Sequence, residues 1–209
     1  FMNVSLIYGS VRSNRQGIKA ARYLERKLQE RQIVVDFIDP LEYNLPLLDK
    51  MFKEYKPGSA PELMDKLAQI LNRSDGFLLV TGEYNHSIPP AMKNLLDHFQ
   101  REYFFKPSAI ASYSRSSFGG VRAAVHLRVI AGELGMPAIS SILPFPKIGE
   151  AFDKDLVPVT PRIENSTARF LDEFMRILKE EMIVNNFDPI HCKTRKSFVK
   201  KVRKKFGTS

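Results

Sequence analysis

The chain has one cysteine, Cys192, and no tryptophan. A lone thiol closes no internal disulfide, which excludes a stapled scaffold and points to a reducing compartment. Long apolar runs are missing too: the longest, 76–81 and 136–143, fall far short of the roughly 20 residues that cross a bilayer. Residues 2–8 read as a strand, without the basic region and cleavable apolar core of a secretory signal. The expected location is cytoplasmic. Histidine is scarce, and His98, His126 and His191 share no metal-ligand spacing. With no His-Glu-x-x-His or paired-cysteine pattern, no metal site is expected. Neither Ser10 nor Ser87 sits in the Gly-x-Ser-x-Gly setting of a serine hydrolase.

What is present suits one globular domain: 209 residues, 44% hydrophobic and 26% charged. The net charge of +9 is unevenly spread. Residues 188–209 carry eight Lys and Arg against the single acid Asp188, a net +7, so the body is close to +2. The division expected is a domain over 1–187 and a basic, poorly ordered tail over 188–209. Such a tail has the charge to meet an anionic surface, a nucleic acid or a nuclear import receptor, but a solvated terminus is the favoured reading.

Strand-length apolar runs alternate with helix-length amphipathic segments. Strands are expected at 4–8, 33–38, 76–81, 108–113 and 138–143. Helices are expected at 18–29, 61–71, 90–99, 120–134 and 160–182, and 39–61 reads as a long loop with at most one helical turn. The run at 76–81 is apolar throughout, as a central strand covered on both faces must be. Five strands with intervening helices predict an α/β three-layer, doubly wound sandwich with a parallel sheet in the order 2-1-3-4-5. In that architecture ligands sit beyond the carboxyl ends of the strands.

Three segments fall there. Gly9-Ser10-Val11-Arg12-Ser13-Asn14-Arg15-Gln16-Gly17 precedes a helix whose N-terminal amides, with two guanidinium groups, suit a phosphate. It is neither a Walker loop nor a G-x-G-x-x-G fingerprint, and an ordinary capped turn is its plain alternative. Residues 82–97 begin Gly82-Glu83-Tyr84-Asn85-His86-Ser87-Ile88-Pro89-Pro90. That mix of small, amide-bearing and aromatic residues fits the polar edge of a planar ring, the alternative being a turn before a packed helix. Ser112-Tyr113-Ser114-Arg115-Ser116-Ser117-Phe118-Gly119-Gly120 contains paired glycines that let backbone approach a flat ligand; alone it would read as a flexible loop.

The second segment resembles the P-E-Y-N-x-S-x-P-x-x-L-K-N-x-x-D signature of the NADPH-dependent FMN reductase family. Gly82 replaces the usual Pro and Met92 the usual Leu, and the resemblance extends over 4–182. It implies a flavodoxin-like fold with bound FMN. Ser10, Arg12, Arg15, Gln16 and Gly17 would hold the phosphate. Glu83, Tyr84, Asn85, His86 and Ser87 would line the ring, with Ser114, Gly119 and Gly120 on another side. Arg115, where the family has a small residue, and Arg122 are candidate contacts for the NADPH phosphate.

The activity implied is a ping-pong cycle from NADPH or NADH through FMN to a quinone, azo, metal-oxyanion or flavin acceptor. The flavin carries the chemistry, so no catalytic acid or base is required, and His86 is only a weak candidate for proton transfer. A flavodoxin-type electron carrier is the alternative, and a module that binds no flavin would purify colourless. The resemblance also implies a homodimer or homotetramer, with helix 90–99 and the aromatics Tyr103 to Phe105 near the interface.

Overall fold

A computed structural model describes residues 2–184. The basic segment 188–209, with His191 and Cys192, lies outside the described residues.

The elements run β1 Asn3–Tyr8, α1 Ile18–Gln29, β2 Val34–Ile38, α2 Glu62–Arg73, β3 Gly76–Gly82, α3 Pro90–Asp97, β4 Ser108–Tyr113, α4 Val121–Glu133, β5 Ala138–Phe145 and α5 Pro161–Val184. The five strands form one sheet in the order β2-β1-β3-β4-β5. Every neighbouring pair is parallel. Parallel neighbours need long crossovers, which the helices supply, and helices on both faces bury the middle strands completely. All seven residues of β3 and all six of β4 are buried, whereas edge strand β2 begins exposed at Val34.

Successive side chains leave a strand on opposite faces. Leu6, Tyr8, Leu78, Val80, Ala111 and Phe145 enter a core with Leu24, Leu28, Phe170 and Phe174 of α1 and α5. Ile7, Phe77, Leu79 and Ile110 enter a second core with Leu67, Leu71, Leu96 and Leu127 of α2, α3 and α4. The helices hold these positions because their apolar residues recur every three or four places, as in Ala20, Ala21, Tyr23, Leu24 and Leu28 of α1.

Three expectations shift. β5 continues to Phe145, and β2 starts at Val34. Helix α3 ends at Asp97 instead of 99, and the chain turns so that Phe99 and Tyr103 enter the core. Phe99 meets Phe52 at 5.7 Å between ring centres, and Tyr103 meets Phe77 edge-on at 5.3 Å. Phe99 and Tyr103 are therefore interior groups, while Leu47 and Leu48, next to Asn94 of α3, are exposed. Val125 and Val129 of α4 are 53% and 71% exposed, and Phe118, just before α4, is 60% exposed.

The segment between β2 and α2 contains one short 3-10 turn, Phe52–Glu54, as the sequence suggested. No helix among the described residues is long and apolar enough to cross a membrane.

Candidate functional site

In a parallel sheet every strand delivers its carboxyl end to one edge, where the following helices begin. Strands β1, β3 and β4 end there at Tyr8, Gly82 and Tyr113, so three loops distant in sequence meet. They enclose a cleft of about 330 Å³ lined by Ser10, Arg12, Asn14, Arg15, Gln16, Gly17, Glu83, Tyr84, Tyr113, Ser114, Arg115 and Ser116, with Gly82 and Ile148.

The first loop is anchored where the Gly9 amide donates to the Val80 carbonyl at 3.1 Å. Ser10 is buried; its Oγ accepts from the Arg12 amide at 3.4 Å and lies 2.9 Å from the Tyr84 hydroxyl. One nitrogen of Arg15, Nη1, donates to the Ser10 carbonyl at 3.2 Å and to Asp39 Oδ1 at 2.6 Å. Gly17, at the start of α1, carries no side-chain cap; the Ile18 and Lys19 amides donate to the Arg15 and Gln16 carbonyls at 3.2 and 3.1 Å, and the helix dipole favours an anion at this end.

Tyr113 is the floor. A Cβ on Gly17 would lie 2.0 Å from its ring, and one on Gly82 would lie 3.0 Å away. At Gly17 only glycine lets the first loop close over this tyrosine, whereas at Gly82 the contact is marginal. Tyr113 stacks on Tyr8 at 6.1 Å and donates its hydroxyl hydrogen to the Tyr8 oxygen at 3.2 Å. Burial pushes both phenols above their ordinary pKa, so both stay neutral.

The second loop is a two-residue turn. Tyr84 and Ser87 exchange both backbone hydrogen bonds, at 2.9 and 3.0 Å, while Asn85 and His86 take φ of 48° and 67°. Two successive positive φ values belong to the primed turns that reverse a chain most tightly, and histidine adopts them at a cost of about 1 kcal/mol. The turn holds Asn85 and His86 at an exposed tip beside the cleft, not in its lining. Ser87 Oγ meets His126 Nδ1 at 3.4 Å.

Glu83 lies deeper, with its side chain 7% exposed. Its Oε1 accepts from Arg122 Nε at 2.7 Å and Nη2 at 2.6 Å, whereas its Oε2 is buried without a partner. A buried carboxylate oxygen left unsatisfied costs several-fold more than a neutral one, unless a ligand supplies a donor.

In the third loop Gly119 and Gly120 have φ of 63° and 78°. A Cβ on Gly120 would also lie 2.6 Å from the Tyr113 carbonyl. Ser112 Oγ donates to the Gly119 carbonyl at 2.8 Å and ties the loop to β4.

Of the residues singled out in the sequence, the structure gathers Ser10, Arg12, Arg15, Gln16, Gly17, Glu83, Tyr84, Ser114 and Arg115 around the cleft. Gly119 and Gly120 shape the third loop from behind. Arg122 is held by Glu83 and lies 4.9 Å from the Phe118 ring, while Arg115 stands exposed. Sequence reasoning missed Asp39 and the floor role of Tyr113. Their only local signals were an acid closing a strand and an aromatic closing another. A larger concavity of about 760 Å³ lies between β5 and α5, lined by Phe145, Arg162 and Phe170 among others, but it takes nothing from the first two loops. Convergent polar groups identify a site better than volume does, so the smaller cleft is the candidate.

The family model described as NADPH-dependent FMN reductase matches residues 2–150. A quinone reductase of Pseudomonas putida is 29% identical over 178 residues, covering 83% of this chain and 90% of its own length. The NAD(P)H-dependent FMN reductase LOT6 of Saccharomyces cerevisiae is 28% identical over 170 residues, covering 75% and 88%. Among solved structures, the flavoenzyme NAD(P)H:(acceptor) oxidoreductase FerB of Paracoccus denitrificans superimposes with a TM-score of 0.71. Its identity is 24%, with 87% of this chain and 99% of that one covered, a likeness of fold.

Proposed function

The chain belongs to the NADPH-dependent FMN reductase family, and from that premise we propose that its three-loop cleft binds FMN and serves the transfer of electrons from NAD(P)H to a small oxidised acceptor. The observation that carries this reading is the convergence of Ser10, Arg12 and Arg15 of the first loop with Glu83, Tyr84 and Ser114 of the other two on one cleft. A flavin mononucleotide matches that lining, since its phosphate accepts and its ribityl hydroxyls and ring N–H donate.

FMN, when bound, supplies the hydride-accepting ring. The protein's part is binding and orientation. Ser10, Arg12 and Arg15 would face the phosphate with the positive dipole end of α1 behind them, and charge-assisted hydrogen bonds from guanidinium would supply much of the affinity. Tyr84 of the second loop and Ser114 of the third would border the ring, Gly119 and Gly120 would support the third loop from behind, and Glu83 would accept from the ring. With Arg122 tied to Glu83, the exposed Arg115 is the better candidate for the phosphate of the nicotinamide cofactor.

Because bound FMN would itself accept the hydride, the residues of the cleft need supply no acid or base, and a ping-pong order, donor before acceptor, is part of this reading. Quinones suit it as planar acceptors, in keeping with the quinone reductase relative. A homodimer or homotetramer belongs to the same reading.

The test is an anaerobic titration of the FMN-loaded protein with NADPH and separately with NADH. Bleaching of the flavin's visible absorption followed by reoxidation with a quinone is the expected result. Bound FMN that neither nucleotide reduces would overturn the reductase in favour of a one-electron carrier.

A further inference from the structure

Asp39 follows β2 and stands 24 residues from Arg15 in sequence, yet the two form a close ion pair beside the cleft, Nη1 to Oδ1 at 2.6 Å. The carboxylate side chain is 3% exposed and the guanidinium 19%. Asp39 is itself fixed. Its Oδ1 also accepts from the Leu41 amide at 3.0 Å, and its carbonyl accepts from the amides of Glu42 and Tyr43, both at 2.9 Å. It does not line the cleft, whereas Arg15 does.

The way Arg15 is held decides what it has left. Both hydrogens of Nη1 are spent, one on Asp39 and one on the Ser10 carbonyl. Nε and Nη2 donate to no acceptor among the described residues. Those two nitrogens form the side-on edge of the guanidinium, whose parallel N–H bonds match two oxygens of a phosphate. The Tyr8 ring, 5.5 Å from the guanidinium carbon, lies alongside and restricts the remaining rotation.

We infer that Asp39 is a positioning residue that turns the side-on edge of Arg15 to the flavin phosphate and so sets the preference of the cleft for FMN over riboflavin. The inference rests on the flavin reading above. A competing effect has the opposite sign, because a carboxylate near a phosphate repels it. Asp39 points its charge at Nη1, and Arg15 stands between it and the cleft, so the loss of alignment outweighs the relief of repulsion.

The experiment measures dissociation constants of FMN and riboflavin by flavin fluorescence for the full chain and for the Asp39→Ala, Asp39→Asn and Arg15→Lys variants. The full chain should prefer FMN. Asp39→Ala should cut that preference by about tenfold to a hundredfold, the worth of a hydrogen bond to a charged group, and leave riboflavin affinity unchanged. Arg15→Lys keeps a cation for Asp39 but has no side-on edge, and should lose the preference to a similar extent. Asp39→Asn keeps an acceptor oxygen and should lose less. An unchanged or increased preference in Asp39→Ala overturns the inference, as does an equal loss for both flavins, which marks a purely structural tie. Should the unmodified protein bind neither flavin, the flavin reading itself falls.

Discussion

The two ends of the sheet are built from similar residues and used in opposite ways. At the amino end, polar groups close on one another. Ser5 and Ser74 share a hydrogen bond at 2.6 Å, and Ser74 also donates to the Ile70 carbonyl. The Asn3 amide donates to Asp75, and the buried Lys106 ammonium donates to the Leu71 and Asn72 carbonyls at the end of α2. The Tyr103 hydroxyl is left without a partner there, but it is neutral. At the carboxyl end Glu83 Oε2 and the side-on edge of Arg15 are charged and unmatched, and four residues of the loops sit at positive φ. Positive φ is not confined to that end, since Gln32, Phe105 and Gly135 take it at the amino end; what sets the carboxyl end apart is a guanidinium edge open to a cleft, where a ligand can complete it.

The comparison breaks most sharply at a glycine. Gly120→Ala forces a side chain against the Tyr113 carbonyl at 2.6 Å, in addition to φ of 78°. Urea unfolding should show a loss of about 3 kcal/mol together with loss of FMN binding. Gly58 has φ of 75° with open space around it, so Gly58→Ala should cost only about 1 kcal/mol and leave binding intact. Equal losses at the two sites would mean that backbone strain alone, not close approach, accounts for Gly120.

A second difference belongs to the amino end. Burial lowers the pKa of Lys106 to about 8. Because the folded state holds this proton less tightly, the unfolded chain binds more protons from about pH 8 to about pH 10, and stability rises with pH over that window. Lys106→Met lacks this rise. Relative to it, the unmodified protein should gain on the order of 2 kcal/mol across the window, with FMN affinity unaltered. Parallel pH profiles for the two proteins would remove the charge from this account of the amino end.

The smallest effect separates the two ends by function. Glu83→Gln keeps an acceptor for Arg122 and removes a buried charge whose second oxygen has no partner, so lost pairing and relieved burial offset and stability should change little. FMN affinity should fall about tenfold, because a charged acceptor for the ligand is lost. Titration with FMN reads the effect, and undiminished binding would show that Oε2 meets no donor on the flavin.

Much of this organisation is legible along the chain. The apolar run of β3 and the three-to-four spacing of α1 and α2 reveal covered strands and one-sided helices without any long-range information. Gly17, Gly119 and Gly120 stand out in motifs because each loop needs what only glycine permits. Tyr113 hides in the same stretch, since its meaning comes from packing against Tyr8, 105 residues away. Phe99 and Tyr103 mislead for a related reason. An aromatic after a helix reads as surface or core according to how the chain turns, and here α3 stops two residues early.

The sequence by itself determined the layered parallel fold, the edge at which ligands gather and the three loops that form the cleft. These follow from side-chain periodicity and glycine sterics, which act between neighbours. Only the tertiary structure decided how the charges are shared: Arg15 with Asp39, Arg122 with Glu83, and Glu83 Oε2 with nothing among the described residues. Spacing along a helix encodes local pairs such as Lys93 with Asp97, but pairs that join distant loops depend on distance and burial in space, which no spacing along the chain encodes.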